Sequence, residues 1–481
     1  MKKYFIRLER NYYLPNGTAG HGFNGWLDIT QANPKVLDTQ NQFRTIVETA
    51  ASQFGHPKEK LYDVLRTDIN APGPARDKTP GMFGFSTHLD TRGHRFSTGT
   101  YIKRVLAVKN ADGTQKYPLT LQLSALATKI LFDKTKKTPR AIGVEYLSGK
   151  SQYRGDPRAG AATAGTKVTV LAKKEVIIAG GAFNTPQILK LSGIGPSKEL
   201  KSFNIDVLVD SPGVGANMQD HYETEITGLA QQNLTNTAAA NCTNGAPGDP
   251  CLALFEQGLP PYTAAATNAI RLRSSTADTP DHDVFMWSVA RSWTGFWPGF
   301  STAVTNRSTV SFAMLKMHPR NRAGTVTLRS ADPRDLPEVN FRFFNDAGAD
   351  KDLRALADGV SWVRKVFTQV PAPVGPVVEN EPCDATKNAA ACKLTTRKPE
   401  QDMADIKREA YSHHASSSAA IGKDGDKNAV LDSDFRVRGV SGLRVVDASA
   451  FPKVPGAFPV IPTLMLSEKA TDVIAADAKL W

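Results

Sequence analysis

The run Val176-Ile177-Ile178-Ala179-Gly180-Gly181 constrains the fold more than any other stretch of the 481-residue chain. Four consecutive apolar residues leave no polar face, the pattern of a strand covered on both sides in a parallel sheet. The glycines that follow let backbone approach a ligand or a neighbouring element closely. Thr185 is a good N-cap and Pro186 a good first helical residue, so a helix is expected over 187–191, stopped by Ser192-Gly193. Strand, glycine turn and helix in this order aim backbone amides at an anion, and predict an α/β (α+β) fold.

Further strand signals lie at 119–123, 143–147 and 166–171, and one amphipathic helix is expected over 42–54. Residues 1–80 are polar and loop-rich and read as a connecting or lid segment. Residues 81–224 form the first part of a sheet domain and 412–481 return to it. Between them, 225–411 differ in composition, with Asn/Thr/Ala-rich loops and strand signals at 325–328 and 339–343, and read as an inserted second domain. Trp287, Trp293, Phe296, Trp297 and Phe300 crowd this insert, where core or domain-interface packing is the expectation ahead of a substrate-lining role.

A formal net charge of +12 makes nucleic acid the first partner to test. The basic residues are scattered, and the tightest cluster, Lys134, Lys136, Lys137 and Arg140, lies in a Thr/Pro-broken stretch that reads as a solvated turn. No nucleic-acid partner is expected. No window approaches the about 18 apolar residues of a membrane helix, and no long apolar run follows Lys2-Lys3, so neither a membrane span nor a signal peptide is read.

Cys242 and Cys251, and Cys383 and Cys392, form two equally spaced pairs around polar segments without histidine. Metal binding would favour closer cysteines with histidine partners, so no metal is expected and two local disulfides are the better reading. Spacing alone leaves free thiols open. Disulfides would place maturation in an oxidising compartment, secreted or periplasmic.

Residues 179–196, Ala-Gly-Gly-Ala-Phe-Asn-Thr-Pro-Gln-Ile-Leu-Lys-Leu-Ser-Gly-Ile-Gly-Pro, resemble the second signature of the glucose-methanol-choline (GMC) flavin oxidoreductases. Pro212-Gly213-Val214-Gly215-Ala216-Asn217-Met218-Gln219-Asp220-His221 and the segment from Ala429 through Asp447-Ala448-Ser449 are similar to further blocks of that family. The resemblance implies an FAD-binding Rossmann-like domain with an inserted antiparallel-sheet substrate domain. It also implies oxidation of an alcohol to an aldehyde or ketone by hydride transfer to FAD. Oxygen, a quinone or a cytochrome would be the electron acceptor.

The family's catalytic histidine matches His414 in His413-His414-Ala415-Ser416-Ser417-Ser418, with His413 as the alternative base. An imidazole suits proton removal from an alcohol near neutral pH. The second catalytic position, usually His or Asn, falls on Phe458, which cannot hydrogen-bond a substrate hydroxyl and points to an aromatic or aliphatic alcohol over a sugar. The Ser418 hydroxyl matches a threonine of the family. The resemblance places Asp447 and Ala448 near the FAD pyrophosphate, Pro459 and Val460 near the isoalloxazine, and Ala127 on the adenine side. Asn217 and Asp220 read as a turn and helix cap ahead of cofactor contacts.

The family's opening GxGxxG turn has no match, and the expectation is a chain lacking its N-terminal dinucleotide-binding portion, with an incomplete Rossmann-like domain and weak FAD binding by this polypeptide alone. The competing readings are a truncated or degenerate protein without flavin binding, and a hydroxynitrile lyase-like member that keeps His414 as base.

Overall fold

The computed structural model describes every residue except 162, 235–240, 244, 265, 301–305, 385–386, 389–391, 393–396 and 480–481. Helices and strands are mixed along the chain and gather around two large apolar cores.

The first core is built on the glycine-ended strand. Val176–Ile178 pairs in parallel with Leu443–Val445, which places Ile178 beside Val445 although the two are far apart in sequence. Val176 and Ile178 are buried in one core with Leu189, Val430, Leu431 and Phe435. Ile177, on the alternate face, is 45% exposed and lines an open cavity. The expectation that both faces of this strand are covered therefore holds for one face only, because side chains alternate and packed elements lie on one side.

The following helix spans Gly181–Leu191, starting earlier than the Thr185-Pro186 signal suggested. Thr185 does not cap it. Its hydroxyl donates to Asp447 (2.6 Å) and accepts from the Gly180 amide (3.0 Å). Pro186 sits inside the helix, where it has no N–H to donate to the carbonyl of Ala182. The Ser418 hydroxyl donates to that carbonyl instead, at 2.5 Å, so a side chain more than two hundred positions away satisfies the acceptor that the proline leaves open.

Ala125–Asp133, Arg140–Ser148 and Thr166–Leu171 form an antiparallel sheet beside this unit, and Lys134, Lys136 and Lys137 are exposed in the turn joining its first two strands. The strand expected at 119–123 does not form. Leu121 and Leu123 are 51% and 69% exposed, and no described strand pairs with them, so their apolar alternation has neither a ladder nor a core to join.

The second core lies under a six-stranded antiparallel sheet, in the order Val378–Glu381, Tyr222–Leu229, Thr309–Lys316, Val284–Val289, Asn268–Leu272 and Gly81–Gly84. The 21-residue helix Ala349–Gln369 covers it through Leu353, Leu356, Val360, Val363 and Phe367, spaced three or four apart as one helical face requires. Gly359 permits the close approach: a Cβ there would stand 2.9 Å from the Met314 sulfur. The expected helix at 42–54 forms as Asn41–Ser52, and its Phe43, Ile46, Val47 and Ala50 are buried in this same core. Buried Arg364 ties it to the edge strand and the helix Pro399–Glu409, donating to Glu379 (2.6 and 2.8 Å) and Asp402 (2.6 Å). The strand expected at 339–343 is shorter, Glu338–Asn340, because Arg342 and Phe344 adopt positive φ (49° and 55°) and turn the chain away.

Both cysteine pairs are closed as disulfides, Cys242–Cys251 and Cys383–Cys392. Much of the loop between Cys383 and Cys392 lies outside the described residues. The C-terminal helix Val460–Asp477 is clasped by the first helix, Lys2–Leu8, through Arg7, which pairs with Glu468 and Asp472 at 2.6 Å each. No described helix is long and apolar enough to cross a membrane.

Candidate active site

The chain just before Tyr222–Leu229 runs antiparallel to 411–416. Gln219 and Ser416 exchange backbone hydrogen bonds (3.0 and 2.8 Å), as do Glu223 and Tyr411 (2.9 and 3.0 Å). This pairing sets Asp220, His221 and Glu223 against Ser412, His413 and His414. His221 and Glu223, two residues apart on extended chain, share a face. Asp220 and His221 belong to a motif block visible in the sequence, where Asp220 reads as a cap ahead of a cofactor contact and His221 has no role, and Glu223 carries no signal at all.

Asp220 is a hub, not a helix cap. Its Oδ1 accepts from the His414 amide (2.8 Å), the His221 amide (2.9 Å) and the Ser412 hydroxyl. Asn217, by contrast, takes the positive φ (56°) of the expected turn. Burial pushes the Asp220 carboxyl up to about 7, against the pull of its donors.

His414 is buried, its side chain 5% exposed, and its Nδ1 lies 3.0 Å from His221 Nδ1 and 3.1 Å from Glu223 Oε1. His221 is fully enclosed, and burial with the neighbouring His414 and His318 charges lowers its pKa to about 3, so it is neutral with one ring proton. Its Nε2 faces the Met317 carbonyl at 3.1 Å, which assigns that proton to Nε2 and leaves Nδ1 a bare acceptor. His414 must then donate from Nδ1 to His221 or Glu223, which leaves the ring lone pair on Nε2. His413 Nδ1 stands 3.3 Å from Glu223, with 39% of its side chain exposed, and burial lowers its pKa.

Phe458 meets the His414 ring edge-on, with centroids 5.6 Å apart, and is boxed by Phe285, Trp287 and Phe85 at 5.4, 5.7 and 6.3 Å. On the far side Phe296 packs edge-on against His413 at 4.5 Å. Within the crowded aromatic stretch, Trp287 packs against the buried Ala269, Phe285 and Leu315 as core packing expects, whereas its later members do not. Phe296 and Trp297 are each 47% exposed, Phe296 packs against His413, and Trp287 reaches the site only through Phe458.

The residues marked for cofactor contacts lie around the glycine turn and the C-terminal helix. Asp447 is buried, and its carboxylate accepts from the Gly181 amide (3.0 Å), the Thr185 hydroxyl (2.6 Å) and the Ser449 amide (2.7 Å). It holds the turn open and has little capacity left for a ligand. The Ala448 carbonyl accepts from the Ser417 amide at 3.0 Å. Beside the turn, a cavity of about 440 Å³ is lined by Ala127, Leu126, Ile177, Gly180, Tyr153 and Asn184 among others. A Cβ added at Gly181 would meet nothing within 4 Å, so backbone faces open space there. Pro459 and Val460 begin the C-terminal helix, which has no side-chain N-cap, and Val460 is 44% exposed. A ligand oxygen can take the place of the missing cap. An apolar cavity beside exposed backbone, and an uncapped helix end near the histidines' loop, fit a cofactor of FAD's chemistry.

Two family models, both described as GMC oxidoreductase, match residues 86–223 and 319–467. An oxygen-dependent choline dehydrogenase of Burkholderia lata is 29% identical over 477 residues, 98% of this chain and 72% of that protein. One of Brucella anthropi is 31% identical over 367 residues, 75% of this chain and 58% of the relative. Among solved structures, a formate oxidase of Aspergillus oryzae superposes with a TM-score of 0.76 at 19% identity, covering 99% of this chain and 78% of that one. A pyridoxine 4-oxidase from Mesorbium loti gives 0.67 at 19% identity, covering 97% and 75%. At such identities the structural likeness speaks for the fold.

Proposed function

We infer that this chain, which belongs to the GMC oxidoreductase family, is an FAD-dependent oxidoreductase acting on the CH–OH group of a small alcohol, with His414 Nε2 as the base. The observation that carries the base assignment is the engaged Nδ1 of His414, 3.0 Å from a neutral His221 whose own proton faces the Met317 carbonyl. FAD supplies the hydride acceptor when bound.

The protein's own groups supply the rest. His414 Nε2 takes the hydroxyl proton, and Glu223, 3.1 Å from Nδ1, stabilises the imidazolium that results. Asp220 fixes the backbone of both histidines. Phe458 offers no hydrogen bond to the alcohol, and its aromatic box excludes water and favours an aromatic or aliphatic carbon skeleton. Ala127 and the cavity beside Gly180 would hold the adenosine end of FAD. Gly181, kept in place by Asp447, and Ala448 would face the pyrophosphate, and Pro459 and Val460 the ring system. The two disulfides support maturation in an oxidising compartment.

The deciding experiment is a His414→Ala variant assayed with a dye acceptor and a panel of benzyl alcohol, hexanol, choline and glucose. Turnover should fall about 10²- to 10⁴-fold. A His414→Ala enzyme with wild-type turnover would remove the base assignment. Oxidation of glucose or choline with none of benzyl alcohol or hexanol would remove the apolar-substrate reading.

A further inference from the structure

The Glu223, His413 and His414 cluster does something the oxidation does not require. His414 Nδ1 lies 3.1 Å and His413 Nδ1 3.3 Å from Glu223 Oε1, and all three atoms fall within 4.8 Å of one another. Zinc bonded to imidazole nitrogen and carboxylate oxygen at about 2.0 to 2.2 Å, in tetrahedral geometry, sets its ligand atoms about 3.3 to 3.5 Å apart. The two nitrogen–oxygen distances already stand near that spacing and the two nitrogens lie within reach of one ion, so small side-chain rotations would admit it. Two imidazoles and one carboxylate are a borderline donor set that suits zinc, with the fourth position left open. The site is also reachable: Glu223 and His414 are buried, while His413 keeps 39% of its side chain in solvent beside the exposed Phe296. Among the described residues the other donor group of similar compactness, Cys242, Asp249 and Cys251, is closed by a disulfide and offers no thiolate.

We propose that Glu223, His413 and His414 form an inhibitory zinc site. A zinc ion there takes the Nδ1 lone pair of His414, which displaces the hydrogen bond to His221 and relocates the ring proton to Nε2. The nitrogen that removes the substrate proton is then occupied. Binding of the ion rests on geometry alone, whereas its inhibitory effect rests on His414 being the base.

The two claims are separated by two readouts. In the first, chelator-treated full chain is titrated with zinc chloride by calorimetry and with cobalt chloride by visible absorption. One ion per chain and the intense absorption of four-coordinate cobalt are expected. His413→Ala and Glu223→Gln should each weaken binding at least about tenfold, the loss that even outer partners of a metal site produce. No binding, or affinity unchanged in either variant, overturns the site. Should Glu223→Gln fail to fold, the partly exposed His413 position decides alone. In the second, zinc is added to flavin-loaded enzyme. Turnover should fall and return with EDTA, and His413→Ala, scored against its own metal-free rate, should need at least about tenfold more zinc. Stoichiometric binding without inhibition leaves the metal site standing and overturns the role of His414 as base.

Discussion

Asp220→Asn probes the hub of the site through stability. An Asn side-chain oxygen can accept from the same three donors, the amides of His414 and His221 and the Ser412 hydroxyl, so the fold around it is retained. What changes is the charge. The folded protein raises the Asp220 pKa from 3.8 to about 7, the reverse of the usual behaviour of a carboxylate. Below about pH 4 the side chain is protonated in both states and contributes no pH dependence. Between about pH 4 and 7 the unfolded chain ionises while the folded one holds its proton, so stability falls as pH rises. Above about 7 both are ionised and the loss levels off.

At about 1.36 kcal/mol per pH unit, the whole penalty is about 4 kcal/mol, of which about 3 kcal/mol accrues between pH 5 and pH 8. The amide does not ionise and escapes it. Urea unfolding of both proteins at pH 5, 6, 7 and 8 reads the difference directly, and titrating groups remote from Asp220 cancel in the comparison. The advantage of Asp220→Asn should grow with pH to pH 7 and then stay constant. A constant difference across the series, or a variant that loses ground as pH rises, would refute the burial argument.

Two further outcomes follow from other contacts. Arg364→Ala leaves the buried Glu379 carboxylate without its cationic partner, while Asp402 keeps Arg397 at 2.7 Å, and should cost about 3 kcal/mol in chemical denaturation, against a much smaller loss for an exposed arginine such as Arg158. Phe458→Asn removes an aromatic wall beside His414 and adds a polar amide. The value of kcat/KM for benzyl alcohol should drop about tenfold or more while that for a polyol rises, and an unchanged ratio would show that the substrate does not touch this side chain.

Much of this protein was legible in its residues, and the parts that were not share one physical cause. The strand at Val176–Ile178, the helix Asn41–Ser52 and the two cysteine pairs depend on neighbouring residues, and local periodicity and spacing report them directly. The order of the motif blocks marked His413, His414 and Phe458 for chemistry. The failures came where a distant partner decided the outcome. Apolar alternation at 119–123 found no strand to pair with. Pro186 reads as a helix start, yet it lies within the helix because Ser418 satisfies the carbonyl it leaves free. Asp220 reads as a cap, yet its acceptors serve residues nearly two hundred positions later.

The sequence by itself determined which residues can take a proton, close a loop or span a buried strand, since these are properties of side chains and their near neighbours. Only the tertiary structure decided which nitrogen of His414 is free. That choice depends on His221, on the Met317 carbonyl that orients it and on Glu223, all brought together by the antiparallel pairing of 219–223 with 411–416. A ring proton goes to the nitrogen whose neighbour accepts it, and the neighbour is set by the fold.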